Sequence, residues 1–168
     1  RVHTYRDMTA AIVNAVKQGQ KVCAVFYGHP GVFVLPSHRA IEQLRSEGYQ
    51  ASMEPGISAE DCLVADLGID PGKTGCQTYE TTQFLFYKRK LDVNCLLVLW
   101  QIGLAGDHTL KISTTNSYHL GLKVLTEELL NYYPADHEVI LYEAATIPIF
   151  DPRIERMPLK ELPNAKPT

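Results

Sequence analysis

The apolar positions of the chain form two kinds of pattern, short continuous runs and runs with helical spacing. The continuous run at residues 22–26 contains β-branched and aromatic side chains, which favours a strand buried on both faces, as in parallel sheets. Residues 95–100 and 139–142 are equally apolar and predict two more strands. Shorter strands are predicted at residues 49–53 and 81–87.

Helical spacing predicts the elements between these strands. The predicted helices are residues 4–19, 37–47, 58–65 and 120–130. Thr4 suits the N-cap of the first helix, and Gly48 suits the left-handed position that ends the second. Ser58 followed by Asp61 resembles a capping box at the start of the third helix. The last helix is amphipathic, and its inner face is expected to consist of Leu122, Leu125, Leu129 and Leu130.

The alternation of helices and strands predicts an α/β protein in two lobes, divided near residues 78–91. The N-terminal lobe is expected to cover residues 1–80 and the C-terminal lobe residues 81–150. Proline and charged residues become frequent from Asp151 onward. Residues 151–168 are therefore predicted to form an irregular arm or an edge strand.

Composition narrows the function classes. A net charge of −3 gives no basic footprint for nucleic acid, and no apolar run is long enough to span a membrane. Cys23 and Cys95 lie within apolar runs and are predicted to be buried free thiols in a reducing, cytoplasmic compartment. The cysteines form no C-x-x-C pair and the histidines no H-x-x-x-H pair, so we expect no metal site.

The strand predicted at residues 22–26 leads into the turn Gly28-His29-Pro30-Gly31. In open α/β sheets, ligands bind just beyond the carboxyl end of such a strand. Tyr27 and His29 are the polar groups at that position, although an ordinary loop would have the same sequence pattern. The main-chain amides before the helix at Ser58 are a second candidate site for polar ligand groups, with a simple helix cap as the alternative.

Four motifs in a fixed order carry a family resemblance. They are YGHPGVF, MEPGISAEDCLVADLGIDPG, VLWQIG and YEAA-x-x-P. This order resembles the tetrapyrrole-methylase superfamily, the class III S-adenosylmethionine methyltransferases. Within it, YGHPGVF and the R-x-x-T-Y motif at residues 1–5 most resemble the borosin group, the omphalotin-type peptide backbone α-N-methyltransferases. Porphyrinoid methylases have Gly-Asp-Pro where this chain has Gly28-His29-Pro30.

The resemblance implies a two-lobed fold, with a mostly parallel sheet in the first lobe and a mixed sheet in the second. It also implies that the sequence is the middle of a longer protein. The family's first strand, with its glycine-rich loop, and its closing strand are expected outside residues 1–168. An upstream tyrosine of the borosin catalytic set is expected outside them too.

The resemblance further implies a methyltransferase that acts on backbone amides of a ribosomally made precursor peptide. An amide nitrogen becomes nucleophilic only when its proton leaves and the developing negative charge on oxygen is stabilised. Tyr5 is expected to take part in proton removal, Arg1 to favour the phenolate and stabilise negative charge, and Tyr27 to orient the amide. Each tyrosine has the alternative of a half-buried ring with a bonded hydroxyl. The residues implied to bind S-adenosylmethionine are Tyr27, His29, Val32, Ser58, Ala59, Gln101 and Ala144.

Partners also follow from the resemblance. Borosin-type enzymes are homodimers, and the segment after Asp151 suits an arm between subunits. The precursor peptide is either fused to the enzyme or encoded separately. One alternative function is methylation of a tetrapyrrole-like small molecule. A second, of another class, is a non-catalytic partner that binds S-adenosylmethionine or peptide.

Overall fold

The computed structural model of the chain describes residues 2–106, 118–147 and 149–167. It confirms the predicted α/β class, with five α-helices, two 3-10 helices and four strands among these residues. Contacts divide the chain into two compact units, Arg1–Cys62 and Leu63–Thr168. This division lies earlier in the chain than the lobe boundary expected after residue 80.

The first unit is built on two packed helices, α1 (Val2–Lys17) and α2 (Leu35–Ser46). Their buried core consists of Val13, Ala40 and Leu44. Helical spacing predicted both elements correctly, although α1 begins at Val2, before the expected N-cap. Gly48 has φ +87°, so it adopts the left-handed conformation expected just after α2.

The predictions of two strands in this unit are wrong. Neither residues 22–26 nor residues 49–53 form a strand, and no strand pairs with them among the described residues. A strand is stable only beside another strand that forms hydrogen bonds with its main-chain N–H and C=O groups, even where its side chains have a high β-propensity. Cys23 is consequently exposed rather than buried, and Cys95 is partly exposed. All four cysteines are free thiols.

The third helix, α3 (Ala59–Leu67), begins where the Ser58 pattern predicted. The second unit contains two strand pairs. Strand β1 (Cys76–Glu80) pairs in parallel with β2 (Leu96–Trp100), and β3 (Glu138–Glu143) pairs antiparallel with β4 (Arg153–Pro158). Strands β2 and β3 confirm the strands predicted from the two apolar runs, whereas β1 was not among the predicted strands.

Residues 81–87, predicted as a strand, form the helix α4 (Thr81–Tyr87). The Glu80 carboxylate accepts hydrogen bonds from the main-chain N–H groups of Thr82 and Gln83, at 3.1 and 2.8 Å. These bonds satisfy donors at the helix start, which favours helix over strand. The Phe84 ring is 1% exposed and anchors α4 in the core.

The hydrophobic core of the second unit is centred on α5 (Tyr118–Leu129). Leu122, Leu125 and Leu129 are buried as predicted, but Leu130 is 42% exposed because the helix ends before it. Strand β4 and the 3-10 helix Leu159–Asn164 complete this unit. Residues 153–158 of the C-terminal segment thus form a strand that pairs with β3.

No helix among the described residues combines the length and apolar character needed to cross a membrane.

Candidate functional site

The Gly28-His29-Pro30-Gly31 turn is held by its own main chain and side chains. Gly28 has φ +73°, a conformation that glycine adopts without strain. The Gly31 N–H donates a hydrogen bond to His29 Nδ1 at 2.9 Å. Because Nδ1 acts as an acceptor, the neutral ring carries its proton on Nε2. His29 therefore presents one N–H donor beyond the turn.

The start of α2 fixes this turn from the other side. The Ser37 hydroxyl oxygen lies 2.5 Å from the Pro30 carbonyl oxygen, and Ser37 is buried. His38 Nε2 donates to the Gly31 carbonyl oxygen at 2.8 Å. Phe33, just beyond the turn, has φ +56°. A bulky residue in this region of φ is unusual and costs conformational energy, so the surrounding packing must hold it there.

A second turn, formed by residues 54–58, packs against the first. A Cβ placed on Gly56 would lie 3.2 Å from the Gly28 carbonyl oxygen and 3.2 Å from His29 Cα. A Cβ on Gly28 would lie 3.4 Å from the Ile57 carbonyl oxygen. The main chains of the two motifs thus lie in close contact. Glycine at positions 28 and 56 makes this approach possible, because it has no side chain to intervene.

Ser58 and Asp61 form a reciprocal cap at the start of α3. Asp61 Oδ2 accepts from the Ser58 N–H at 2.7 Å and from the Ser58 hydroxyl at 2.6 Å. The Asp61 N–H lies 3.3 Å from Ser58 Oγ. The hydrogen bonds from Ser58 lower the pKa of Asp61. Asp61 therefore holds both the main chain and the side chain of Ser58 at the start of α3.

Several residues implied by the resemblance meet at these two turns in the first unit. His29 is half-buried, Ser58 is 9% exposed, and Val32 and Ala59 are exposed. Tyr27 is 86% exposed, so most of its ring is open to solvent. Tyr5 lies on α1 and is partly buried. Arg1 lies outside the described residues.

The remaining predicted residues lie in the second unit, each at the end of a strand. Gln101 follows β2 with φ +59°, and the 3-10 helix Ile102–Leu104 begins directly after it. Ala144 follows β3 and is half-buried. A cavity of about 620 Å³ is lined by the residues of both strands and by Gln101. Gln101 therefore lines this cavity, and Ala144 directly follows a strand that lines it.

Sequence reasoning missed three contributors to the site. Ser37 and His38 were regarded only as the start of a helix, and Asp61 only as a cap. Ser37 and His38 hold the turn through hydrogen bonds to carbonyl groups seven residues earlier, for which the local pattern gave no signal. Among the described residues, no group of three or more His, Cys, Asp or Glu side chains is placed to hold a metal ion.

Comparison with known proteins gives the family. The family model described as Tetrapyrrole (Corrin/Porphyrin) Methylases matches residues 1–163. A methyltransferase/ribosomally synthesized type I borosin cyclic peptide precursor from Coprinopsis marcescibilis is 47% identical over 164 residues. The corresponding gymnopeptides precursor from Gymnopus fusipes and omphalotin A precursor from Omphalotus olearius are 46% and 44% identical over 162 residues.

Each of these alignments covers 96% of this chain, but the chain spans only 38–41% of the length of these relatives. The family match, by contrast, extends over nearly all of the sequence and includes every turn and strand end described above. The chain belongs to the tetrapyrrole (corrin/porphyrin) methylase family.

Proposed function

We propose that this chain carries the S-adenosylmethionine-dependent methyltransferase activity of a borosin-type protein, which N-methylates backbone amides of a ribosomally made precursor peptide. The observation that carries the proposal is the 44–47% identity to relatives named both methyltransferase and cyclic peptide precursor. The YGHPGVF turn, whose geometry is described above, lies within the aligned part.

The chemistry of the two turns fits the cofactor. S-adenosylmethionine, when bound, supplies an electrophilic methyl group on a sulfonium, together with a nucleoside and an amino-acid tail. The His29 Nε2–H is a donor, the buried Ser58 hydroxyl is polar, and exposed Val32 offers apolar contact. Gly28 and Gly56 allow the main chain around His29 to approach the main chain that leads to Ser58. Tyr27, Ala59, Gln101 and Ala144 complete the proposed binding set.

The proposed chemistry assigns one task to each of three residues. Tyr5 takes part in removing the amide proton, because a phenolate oxygen can accept it. Arg1 favours the phenolate and stabilises the negative charge that develops on the amide oxygen. Tyr27 orients the amide, and its exposed ring leaves it free to contact a peptide.

We further propose that the enzyme acts in the cytoplasm as a homodimer and that its precursor peptide is part of the same protein. The names of the relatives, which combine methyltransferase and precursor, support a fused peptide. A precursor encoded separately stays the alternative. The two are distinguished by sequencing the gene beyond the codon for Thr168.

A second candidate function is methylation of a tetrapyrrole-like small molecule, because the matching family model is described by corrin and porphyrin substrates. The histidine in the Gly28-His29-Pro30 turn argues against this function, since porphyrinoid methylases have aspartate at the corresponding position. A protein that binds S-adenosylmethionine without turnover is the third candidate.

Mass spectrometry of the full-length protein, incubated with S-adenosylmethionine, distinguishes these functions. We expect the peptide to gain mass in successive steps of one CH₂ group. Methylation of a supplied porphyrinoid, with no change in the peptide, would favour the second function. Binding of the cofactor without any methylated product would favour the third.

A further inference from the structure

We propose that the surface at the end of α4 is a docking site for an acidic peptide segment. Two exposed aromatic residues and three consecutive cations form this surface, which we call the basic–aromatic patch: Phe86, Tyr87, Lys88, Arg89 and Lys90. The patch has no part in the proposed methyl transfer, and its test is independent of that function.

Two tyrosine rings hold the guanidinium group of Arg89 in place. Its central carbon lies 5.1 Å from the centre of the Tyr87 ring and 5.9 Å from the centre of the Tyr79 ring, within the range of cation–π attraction. Tyr79 is itself fixed, because its ring stacks on the buried ring of Phe84 with 5.9 Å between the ring centres. The position of the Arg89 charge at the surface is therefore linked to the hydrophobic core.

The N–H groups of Arg89 have no acceptor within the described part of the chain. The exposed Arg89 side chain forms neither a hydrogen bond nor an ion pair there, whereas Arg153 and Arg156 each bind a glutamate on the neighbouring strand. Stacking covers the face of a guanidinium and leaves its edge, which carries the N–H donors, available to a planar anion. Arg89 is thus preorganised for an anion that the described residues do not supply.

Lys88 and Lys90 add positive charge on either side of Arg89. Lys88 ends α4 in the left-handed conformation, with φ +43°, which costs conformational energy in a residue that has a Cβ. A helix C-terminus attracts a cation, which accounts for Lys88 but not for the stacked Arg89. Neither lysine forms an ion pair with a described residue. The patch is therefore a local concentration of positive charge on a chain whose net charge is −3.

The composition of the patch favours a peptide with carboxylate groups over other anionic partners. A carboxylate accepts two parallel hydrogen bonds from a guanidinium edge, and arginine and aromatic residues are enriched at protein interfaces. Anionic membranes are recognised by clusters of roughly four to eight cations, more than this patch contains. Single-stranded nucleic acid stacks on open aromatic faces, but Arg89 covers one face of the Tyr87 ring. Phe86, 62% exposed, would contact an apolar residue beside the carboxylates.

The test measures binding of a fluorescein-labelled peptide of alternating glutamate and leucine residues to the full-length protein by fluorescence anisotropy. Arg89→Lys keeps the charge but removes the planar fork, and Tyr87→Leu removes one ring from the guanidinium. Lys123→Met is the matched control, because it removes a positive charge from an exposed position of α5 in the same unit. A phosphoserine peptide and vesicles that contain phosphatidylserine are the comparison ligands.

We expect Arg89→Lys to weaken binding of the glutamate peptide about tenfold, the scale of one charge-assisted hydrogen bond. Tyr87→Leu should weaken it about threefold, the scale of a cation–π interaction at an exposed site. Lys123→Met should change it by less than about twofold, because salt screens a single distant surface charge. The urea midpoint should change little in all three variants, since each substituted side chain is exposed.

Three outcomes would overturn the docking site. The first is equal binding of the glutamate peptide by the parent and by Arg89→Lys, because the guanidinium fork would then contribute nothing. The second is binding of the vesicles or of the phosphoserine peptide without binding of the glutamate peptide, which would assign the patch to a different partner. The third is failure of the parent to bind any of these ligands, and this result would leave the proposed methyltransferase function intact.

Discussion

Replacing Gly56 by alanine tests the contact between the two turns of the candidate site. The new Cβ would lie 3.2 Å from the Gly28 carbonyl oxygen, 3.2 Å from His29 Cα and 3.3 Å from Pro30 Cδ. Main-chain atoms and a proline ring cannot rotate away as a flexible side chain does. One turn must therefore shift by a few tenths of an ångström.

The magnitude follows from two opposing effects. Overpacking of this kind costs roughly 1–3 kcal/mol. Alanine also restricts the unfolded chain, which returns about 0.4–1 kcal/mol. The expected loss in the free energy of unfolding is therefore about 1–2 kcal/mol. Because His29 moves with its turn, affinity for S-adenosylhomocysteine should also fall.

The assay is urea unfolding of the full-length protein, combined with calorimetric binding of S-adenosylhomocysteine. Gly72→Ala is the matched control, because neither glycine has a positive φ. Its Cβ would meet Asp70 Oδ1 at 3.1 Å; this exposed side chain accepts a hydrogen bond from the Gly72 N–H but can shift more easily than main chain. The control should change both quantities little. If Gly56→Ala behaves like Gly72→Ala in both assays, the two turns are not packed as described.

Three further results are expected. Gly121→Ala directs a methyl group into the Ala105 carbonyl oxygen and should cost about 1–3 kcal/mol in urea unfolding; parental stability would contradict the packing of α5 there. Tyr5→Phe should lower kcat by roughly 10²–10⁴ with unchanged cofactor affinity, whereas a parental rate would assign proton removal to another group. The hydrogen bond from Lys17, 2.6 Å from Glu47, lowers the pKa of that glutamate, so its stabilising effect is present above the ordinary glutamate pKa and is lost as pH falls below the folded value. Lys17→Met should therefore reduce the urea midpoint at neutral pH, and this reduction should become smaller as the pH is lowered; an equal reduction at every pH would refute this pairing.

The helices were predictable because their signals are local. The apolar face of α1 and the leucines of α5 repeat at helical spacing, and Gly48 marks the end of α2. The strands predicted at residues 22–26 and 49–53 failed for the opposite reason. A strand exists only where a neighbour completes its hydrogen bonds, and side-chain composition does not specify that neighbour.

Residues 81–87 show how context decides a short apolar stretch. Their composition suits a strand or a helix, and length alone does not separate the two. Capping by Glu80 and the hydrogen bond of 2.6 Å from the Thr81 hydroxyl to the Trp100 carbonyl oxygen favour the helix. The second of these joins residues far apart in sequence, so no local window contains it.

The candidate site was predictable as far as its turns. The motif order identified His29 and Ser58 before any geometry was known, and both lie where the turns approach each other. The sequence did not indicate the hydrogen bonds by which Ser37 and His38 hold the first turn, because these bonds join α2 to the loop that precedes it. The roles of Arg1, Tyr5 and Tyr27 stay predictions.

Transfer of a labelled methyl group tests the central claim most directly. The full-length protein is incubated with S-adenosylmethionine that carries a trideuterated methyl group, and the peptide is analysed by tandem mass spectrometry after proteolysis. We predict that the label is found on backbone nitrogens of the precursor peptide, so that acid hydrolysis releases labelled N-methyl amino acids. Label confined to side chains, or found only on an added porphyrinoid, would contradict backbone amide methylation.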